Sequence, residues 1–220
     1  MRSDKVDGLP FVRREIAIGG RTWVIETVHD QDALLAASEG RAHFPFGLML
    51  WESAVALAGE LFARSAECAG QRVLELGAGL GLAGVVAASL GAQVVQTDHD
   101  ATALFACART AQLNGVDGAC QAIGDWHAWS NEALYDLIIG ADVAYDGECH
   151  RALLAIFERN LARGGTVLLA DPGREKQAAF VAMMDASGWH LQRTVRRVDD
   201  LAPATARAQI DVAILVLRRT

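Results

Sequence analysis

Apolar residues fall into short runs of two periods along this chain. From Arg14 to Thr27, Ile16 and Ile18 alternate with polar or small neighbours, Gly19-Gly20 suits a primed turn, and Trp23 and Ile25 share one face. That is the pattern of a β-hairpin. Residues 28–44 are polar and small and are expected to cross the surface, with a short helix near Gln31 to Ser38. After the punctuation Phe44-Pro45-Phe46-Gly47, the period changes to helical. Trp51, Val55, Ala58 and Phe62 form a stripe that Leu50, Ala54, Leu57 and Leu61 widen, predicting a helix from about Leu48 to Ala66. Strand and helix then alternate: Val73 to Leu76, helix 82–90, Gln93 to Thr97, helix 101–114 closed by Asn114-Gly115, and Ala119 to Ile123. Leu134 to Ala141 follows, then helix 147–161 with Leu153, Leu154, Phe157 and Leu161 on one face, Thr166 to Ala170, and helix 175–187. Two strands, Trp189 to Val195 and Ala208 to Leu217, end the series with no helix between them, only a loop containing Pro203.

Alternating strands and helices build a parallel sheet covered on both faces, and a helix-free final pair suits an antiparallel last strand. The expected fold is therefore α/β: a Rossmann-like, seven-stranded, mostly parallel sheet with an antiparallel last strand, helices on both faces and a small N-terminal β-hairpin. Residues 1–45 read as an N-terminal extension carrying the hairpin, with residues 1–10 loosely attached, and residues 46–220 as the main domain.

Composition narrows the possibilities. Apolar residues make up 52% of the chain, enough for a large core, and the net charge of −7 argues against broad nucleic-acid binding. Charge is uneven. From Trp189 to Thr220 six arginines meet three aspartates, so that segment is +3 and the remainder −10. The four cysteines include no C-x-x-C, and neither they nor the six histidines show metal-ligand spacing, so no metal is expected. Reduced cysteines, a charged N-terminus and the lack of an apolar run near membrane-span length predict a cytosolic protein with no membrane partner.

The candidate chemistry centres on Val73 to Asp100. An apolar run ends in Glu75-Leu76, a turn follows with Gly77, Gly79, Gly81 and Gly84, and the next strand ends in Asp98. Glycines let a strand turn straight into a helix and leave backbone bare for a ligand, while the helix N-terminus offers free N–H groups. An acid at the neighbouring strand end can accept both ribose hydroxyls. Gly79-x-Gly81-x-x-Gly84 formally matches the dinucleotide fingerprint. Glu75-Leu76-Gly77-Ala78-Gly79 instead resembles motif I of the S-adenosylmethionine (SAM)-dependent methyltransferases, whose ligand lacks a pyrophosphate. A carboxylate at Glu75 would repel a pyrophosphate and help place a cationic amino acid moiety. Two further loops lie at strand ends. Gly124-Asp125-Trp126 offers an acid and a ring for a base, or a packed tryptophan. Asp142-Val143-Ala144-Tyr145 falls where substrate would meet cofactor, or is a structural loop.

Taken together, Trp51, the motif from Glu75 to Gly81, Asp98, Asp125-Trp126 and the D-x-x-Y from Asp142 to Tyr145 resemble the seven-β-strand protein-lysine methyltransferases. This is the branch that modifies chaperones, elongation factors and an electron-transfer flavoprotein subunit. The likeness runs from about Phe46 to Gly173. It implies that Trp51, Gly77, Ala78, Gly79, Asp98, Trp126 and Ala141 line a SAM pocket, with Glu75 and Gly81 completing motif I. Asp98 would hold the ribose, Trp126 would lie on the adenine and Asp125 near its amino group. Asp142 and Tyr145 would serve the acceptor, Asp142 by capturing and orienting a lysine or by holding the motif loop, and Tyr145 by directing the amine lone pair. S-adenosylhomocysteine would be the product and a protein the substrate. A nicotinamide-like amine acceptor, or a non-catalytic SAM-binding protein, are the alternatives. Asp171-Pro172-Gly173-Arg174 is similar to the flavoprotein-modifying members, but Glu175-Lys176-Gln177 replaces the aromatic-Leu-Pro found there.

Overall fold

The computed structural model describes residues 11–28, 31–38, 44–201 and 209–219. The N-terminal segment 1–10 and the loop around Pro203 lie outside them. The chain forms β1 (Phe11–Ile18), β2 (Arg21–Val28), α1 (Gln31–Ser38), α2 (Glu52–Ala63), β3 (Arg72–Leu76), α3 (Leu82–Ser89), β4 (Gln93–Asp98), α4 (Ala101–Leu113) and β5 (Ala119–Ile123). Then come β6 (Tyr135–Ala141), α5 (His150–Asn160), β7 (Leu161–Asp171), α6 (Glu175–Ala186), β8 (Trp189–Asp199) and β9 (Gln209–Arg219).

Seven strands form one sheet in the order β5-β4-β3-β6-β7-β9-β8. The first five are parallel, and β9 enters antiparallel between β7 and β8. The chain leaves β3 toward β4 and β5, then crosses back to β6 on β3's other side. That reversal opens a crevice beyond the carboxyl ends of β3 and β6, where open α/β sheets bind ligands.

Two apolar layers clamp the sheet. On one face Leu57 and Leu61 of α2, Val85 and Val86 of α3 and Ala106 of α4 pack with Val73, Ile139, Leu168, Ile214 and Val216. On the other, Leu153, Ile156 and Phe157 of α5 and Phe180 and Met184 of α6 pack with Leu74, Leu76, Ile138, Leu169, Leu215 and Leu217. In β9 the even positions from Val212 to Val216 join the first layer and the odd ones from Ala213 to Leu217 the second. This explains why that strand is an unbroken apolar run.

The hairpin is a separate two-stranded sheet. Ile18, Trp23 and Ile25 bury themselves in the first layer. Asn114, at the end of α4, receives the Val24 N–H at 2.9 Å and returns its own amide to the Val24 carbonyl at 2.7 Å. Arg109 of α4 pairs with Glu26 of β2 at 3.1 Å.

Several boundaries depart from expectation. The helix predicted from Leu48 starts at Glu52. Residues Phe46–Leu48 make a tight turn of their own, and Trp51 is the N-cap, so it stands at the helix mouth rather than on the helix's buried stripe. The strand predicted from Thr166 begins at Leu161, because Leu161 already pairs with Tyr135 before a register shift. β8 runs on to Asp199, its ladder to β9 unbroken and reinforced across the strands by Arg197 and Asp211 at 2.7 Å.

Candidate functional site

The glycine turn after β3 is built to expose backbone. Gly77, Gly79 and Gly81 all adopt left-handed φ of 61°, 52° and 76°, which side chains disfavour. A Cβ on Gly77 would lie 3.3 Å from Trp126 Cζ2 and 3.2 Å from Val143 Cγ1, so the Trp126 ring flanks the turn. Trp126 is placed by a short turn, 126–128, whose N-terminus Asp125 caps by accepting the His127 N–H at 2.9 Å.

Two buried carboxylates bracket the turn and act differently. Asp98, at the end of β4, accepts the Gly79 N–H at 2.9 Å and the Asp100 N–H at 3.0 Å. Burial pushes its pKa up, and these two backbone bonds hold it back. Glu75 points beneath the turn instead. Its Oε2 accepts from Gln96 Nε2 at 2.6 Å and from the Gly84 N–H in the first turn of α3 at 3.2 Å. Burial raises its pKa to about 7. Gln96 also donates to the Gly81 carbonyl at 3.0 Å. Ala78 ties the turn to the neighbouring strand by donating to Thr97 O at 2.9 Å.

On the other side of the switch point, Ala141 ends β6 and leads into the D-x-x-Y. Asp142 has φ 56°, the one positive value outside glycine among the described residues; aspartate tolerates this region better than most residues. Its N–H donates to Ala170 O at 2.7 Å. Val143 and Ala144 turn inward and are buried, and buried His150 lies with Nε2 3.0 Å from Ala144 O. The Asp142 side chain is only 11% exposed, so of these four residues Tyr145 is the one presented to solvent. Tyr145 is 42% exposed. Burial of its hydroxyl region, followed by nearby Cys149 and the surrounding aspartates, raises its pKa, so the phenol stays protonated.

Elements that sequence reasoning passed over complete the mouth. Phe46 stacks obliquely between Trp51 at 6.2 Å and Tyr145 at 6.0 Å, with Phe44 at 4.6 Å. Trp51 Nε1 donates to the Phe46 carbonyl at 2.9 Å. Gly47 lies against the turn itself: a Cβ there would meet Gly79 Cα at 3.3 Å and Asp98 Oδ2 at 3.6 Å. Only the Phe-Pro-Phe-Gly punctuation hinted at this. Arg174 is the second addition. Its Nε and Nη2 bond both Asp142 oxygens at 2.9 and 2.8 Å. Buried Asp171 shapes that loop by accepting the Gly173 and Arg174 N–H groups at 2.7 and 3.1 Å. Asp142, expected to capture a lysine, already carries a cation.

The family profile described as lysine methyltransferase matches residues 29–187 of this sequence. The chain belongs to the lysine methyltransferase family. Among curated relatives, the protein N-lysine methyltransferase METTL21A of Danio rerio is 39% identical over 128 residues, 55% of this chain and 58% of that protein. The histone-arginine methyltransferase METTL23 of Mus musculus is 32% identical over 120 residues, 51% of this chain and 47% of the relative. The chain thus spans about half the length of these relatives. Among solved structures, a ribosomal protein L11 methylase from Lactobacillus delbrueckii subsp. bulgaricus superposes with TM-score 0.61 at 19% identity, covering 78% of this chain and 81% of that one. The glycopeptide N-methyltransferase MtfA complexed with sinefungin gives 0.59 at 15% identity, covering 78% and 96%. At such identities these two establish the fold alone.

Trp51 and Tyr145 share Phe46 as a ring neighbour, Gly77 lies against Trp126, Ala78 and Gly79 bond the end of β4 at Thr97 and Asp98, and Ala141 leads into Asp142, whereas Glu75 and Gly81 meet through Gln96 behind the turn. Among the described residues no cluster is arranged to hold a metal ion, and no helix is long and apolar enough to cross a membrane.

Proposed function

We propose that this protein is a SAM-dependent methyltransferase that modifies a lysine side chain of a protein substrate. The observation that carries the proposal is the D-x-x-Y segment, presented beside the glycine turn at the sheet's switch point. The residues fit the cofactor. A left-handed glycine turn leaves backbone bare, Asp98 offers a carboxylate to ribose hydroxyls, and Trp126 stands ready as a base platform beside Gly77. Tyr145 and Phe46, 42% and 47% exposed, leave the acceptor side open to a protein surface.

When bound, SAM supplies an electrophilic methyl group on a sulfonium. The protein's work is alignment and exclusion of water. A lysine amine, with an ordinary pKa of about 10.4, must first lose its proton. A bare carboxylate facing it would oppose that loss. The Arg174 pair cancels the Asp142 charge, so Asp142 acts by holding the acceptor loop, and the amine meets a net-neutral wall. Tyr145, kept protonated, orients the amine through its hydroxyl, while Phe46 and Trp51 exclude water from the mouth.

Calorimetric titration with S-adenosylhomocysteine, with NAD as control, tests the pocket. Labelled SAM and cell lysate then test the acceptor. Binding of the homocysteine product alone and label recovered as methyl-lysine are expected. Binding of NAD alone would overturn the proposal, and label recovered as methyl-arginine would overturn the lysine assignment.

A further inference from the structure

We propose that Lys176 is itself a methyl acceptor of this site, modified in cis. The inference rests on the lysine-methyltransferase proposal and adds a target within the chain.

The sequence holds two lysines, Lys5 and Lys176, and arginine supplies the rest of its 20 basic residues. In a chain that has almost abandoned lysine, one stands at the acceptor mouth. Its Nζ is 3.6 Å from Asp146 Oδ1, and Asp146 directly follows Tyr145. Two residues earlier in the same segment, Arg174 grips Asp142. Residues 174–176 therefore lay two cations across the two acids that flank the D-x-x-Y tyrosine.

The two contacts differ in kind. Arg174 is bidentate on a carboxylate whose side chain is 11% exposed, and it is locked by the Asp171 turn. Lys176 makes one long contact to a carboxylate 39% exposed, and its own side chain is 60% exposed. Exposed pairs of this type hold only weakly, so the ammonium leaves Asp146 readily. Its flexible four-carbon stem then swings beside Tyr145 while α6 stays fixed. An acceptor tethered in this way has a high effective concentration and requires no second molecule. In the transfer, Nζ gives its proton to water and its lone pair forms the N–CH3 bond. The methyl–sulfur bond breaks with its electron pair remaining on sulfur. The products are S-adenosylhomocysteine and a methylated Lys176, whose nitrogen takes over the positive charge of the sulfonium and so still offers Asp146 a cation.

The test uses the full-length protein alone with methyl-labelled SAM, followed by peptide mass spectrometry. Label on Lys176 is expected, at a fractional rate independent of protein concentration. It should persist in Lys5→Arg and vanish in Lys176→Arg, where arginine retains the charge opposite Asp146. A second readout needs no turnover. S-adenosylhomocysteine should slow acetylation of Lys176 by acetic anhydride and leave Lys5 unchanged. Label elsewhere with Lys176 unmodified, a fractional rate that climbs with concentration, or an acetylation rate indifferent to the ligand would overturn the inference. Parallel arms separate the two levels. Label in lysate proteins with Lys176 untouched overturns this inference alone, whereas failure to bind S-adenosylhomocysteine overturns the underlying proposal.

Discussion

Replacing Gly84 by alanine sets two opposing effects against each other. Gly84 is the third residue of α3 and lies in helical backbone, so alanine alone would add up to about 1 kcal/mol of helix stability. The new Cβ, however, would fall on Glu75 Oε2 and lie 2.5 Å from Gln96 Nε2 and 3.0 Å from Gln96 Cδ. Glu75 is 3% exposed and Gln96 fully buried, so neither can swing into solvent. Overpacking of this kind costs about 1–3 kcal/mol. Displacing Glu75 also disturbs its bonds from Gly84 and Gln96, and a hydrogen bond to a neutral carboxyl is worth about 0.5–1.5 kcal/mol. After the helix gain is subtracted, the net loss is about 1–3 kcal/mol, a fall in Tm of roughly 2–12 °C for a domain of this size. Gly59→Ala is the matched control. It is also a helix glycine, but its Cβ would meet only Arg196 Nη1 at 4.0 Å. It should therefore gain about 1 kcal/mol. Calorimetric melting of the two variants beside the parent decides the matter. If Gly84→Ala matched or exceeded the parent while Gly59→Ala gained, the Glu75–Gln96 contact would not be what fixes the turn.

Glu75 also gives the fold a pH signature. Its carboxyl holds a proton to about pH 7 when folded, against an ordinary value of 4.5. Its contribution is therefore full below pH 4.5, shrinks as pH rises and is gone above about 7, a total of about 3 kcal/mol; urea unfolding of Glu75→Gln across that window should lack this slope. Asp98→Asn should weaken S-adenosylhomocysteine binding roughly 10–100-fold, the worth of a hydrogen bond to a charged group, and unchanged affinity would sink the pocket. Asp142→Ala and Arg174→Ala should each abolish transfer to lysate proteins while S-adenosylhomocysteine still binds; loss of that binding in both would reassign them to the cofactor. Arg174 is bidentate on Asp142, whose side chain is 11% exposed, so its removal should cost about 1–3 kcal/mol in denaturant unfolding.

The strand–turn–helix units were legible because period and punctuation agree locally. Gly77 to Gly84 can only be a tight turn into a helix, and the helix-free final pair announced an inserted strand. Long-range pairings were not legible. Arg174 meets Asp142 across 32 residues, and nothing in either neighbourhood encodes the match. Trp51 shows a subtler limit. An apolar stripe at helical spacing defines a face but not a start, so a residue in phase with the stripe turned out to be its cap. Glu75 was placed at the right strand end, but the alternation of side chains along β3 sends it under the turn with Val73.

The position of β9 has a consequence for how the molecule assembles. β8 is made before β9, yet it reaches the sheet only through β9. Until residues 209–219 emerge, β7 has an open edge and β8 has no strand to pair with. Half of the sheet can condense early around β3, whose partners follow in order, while the other half waits for a strand that must slide between two others. Late, non-local pairing of this kind slows folding and leaves apolar edges exposed meanwhile. A nascent chain stalled before residue 209 would carry a finished glycine turn beside an unsealed flank, a natural target for chaperone capture.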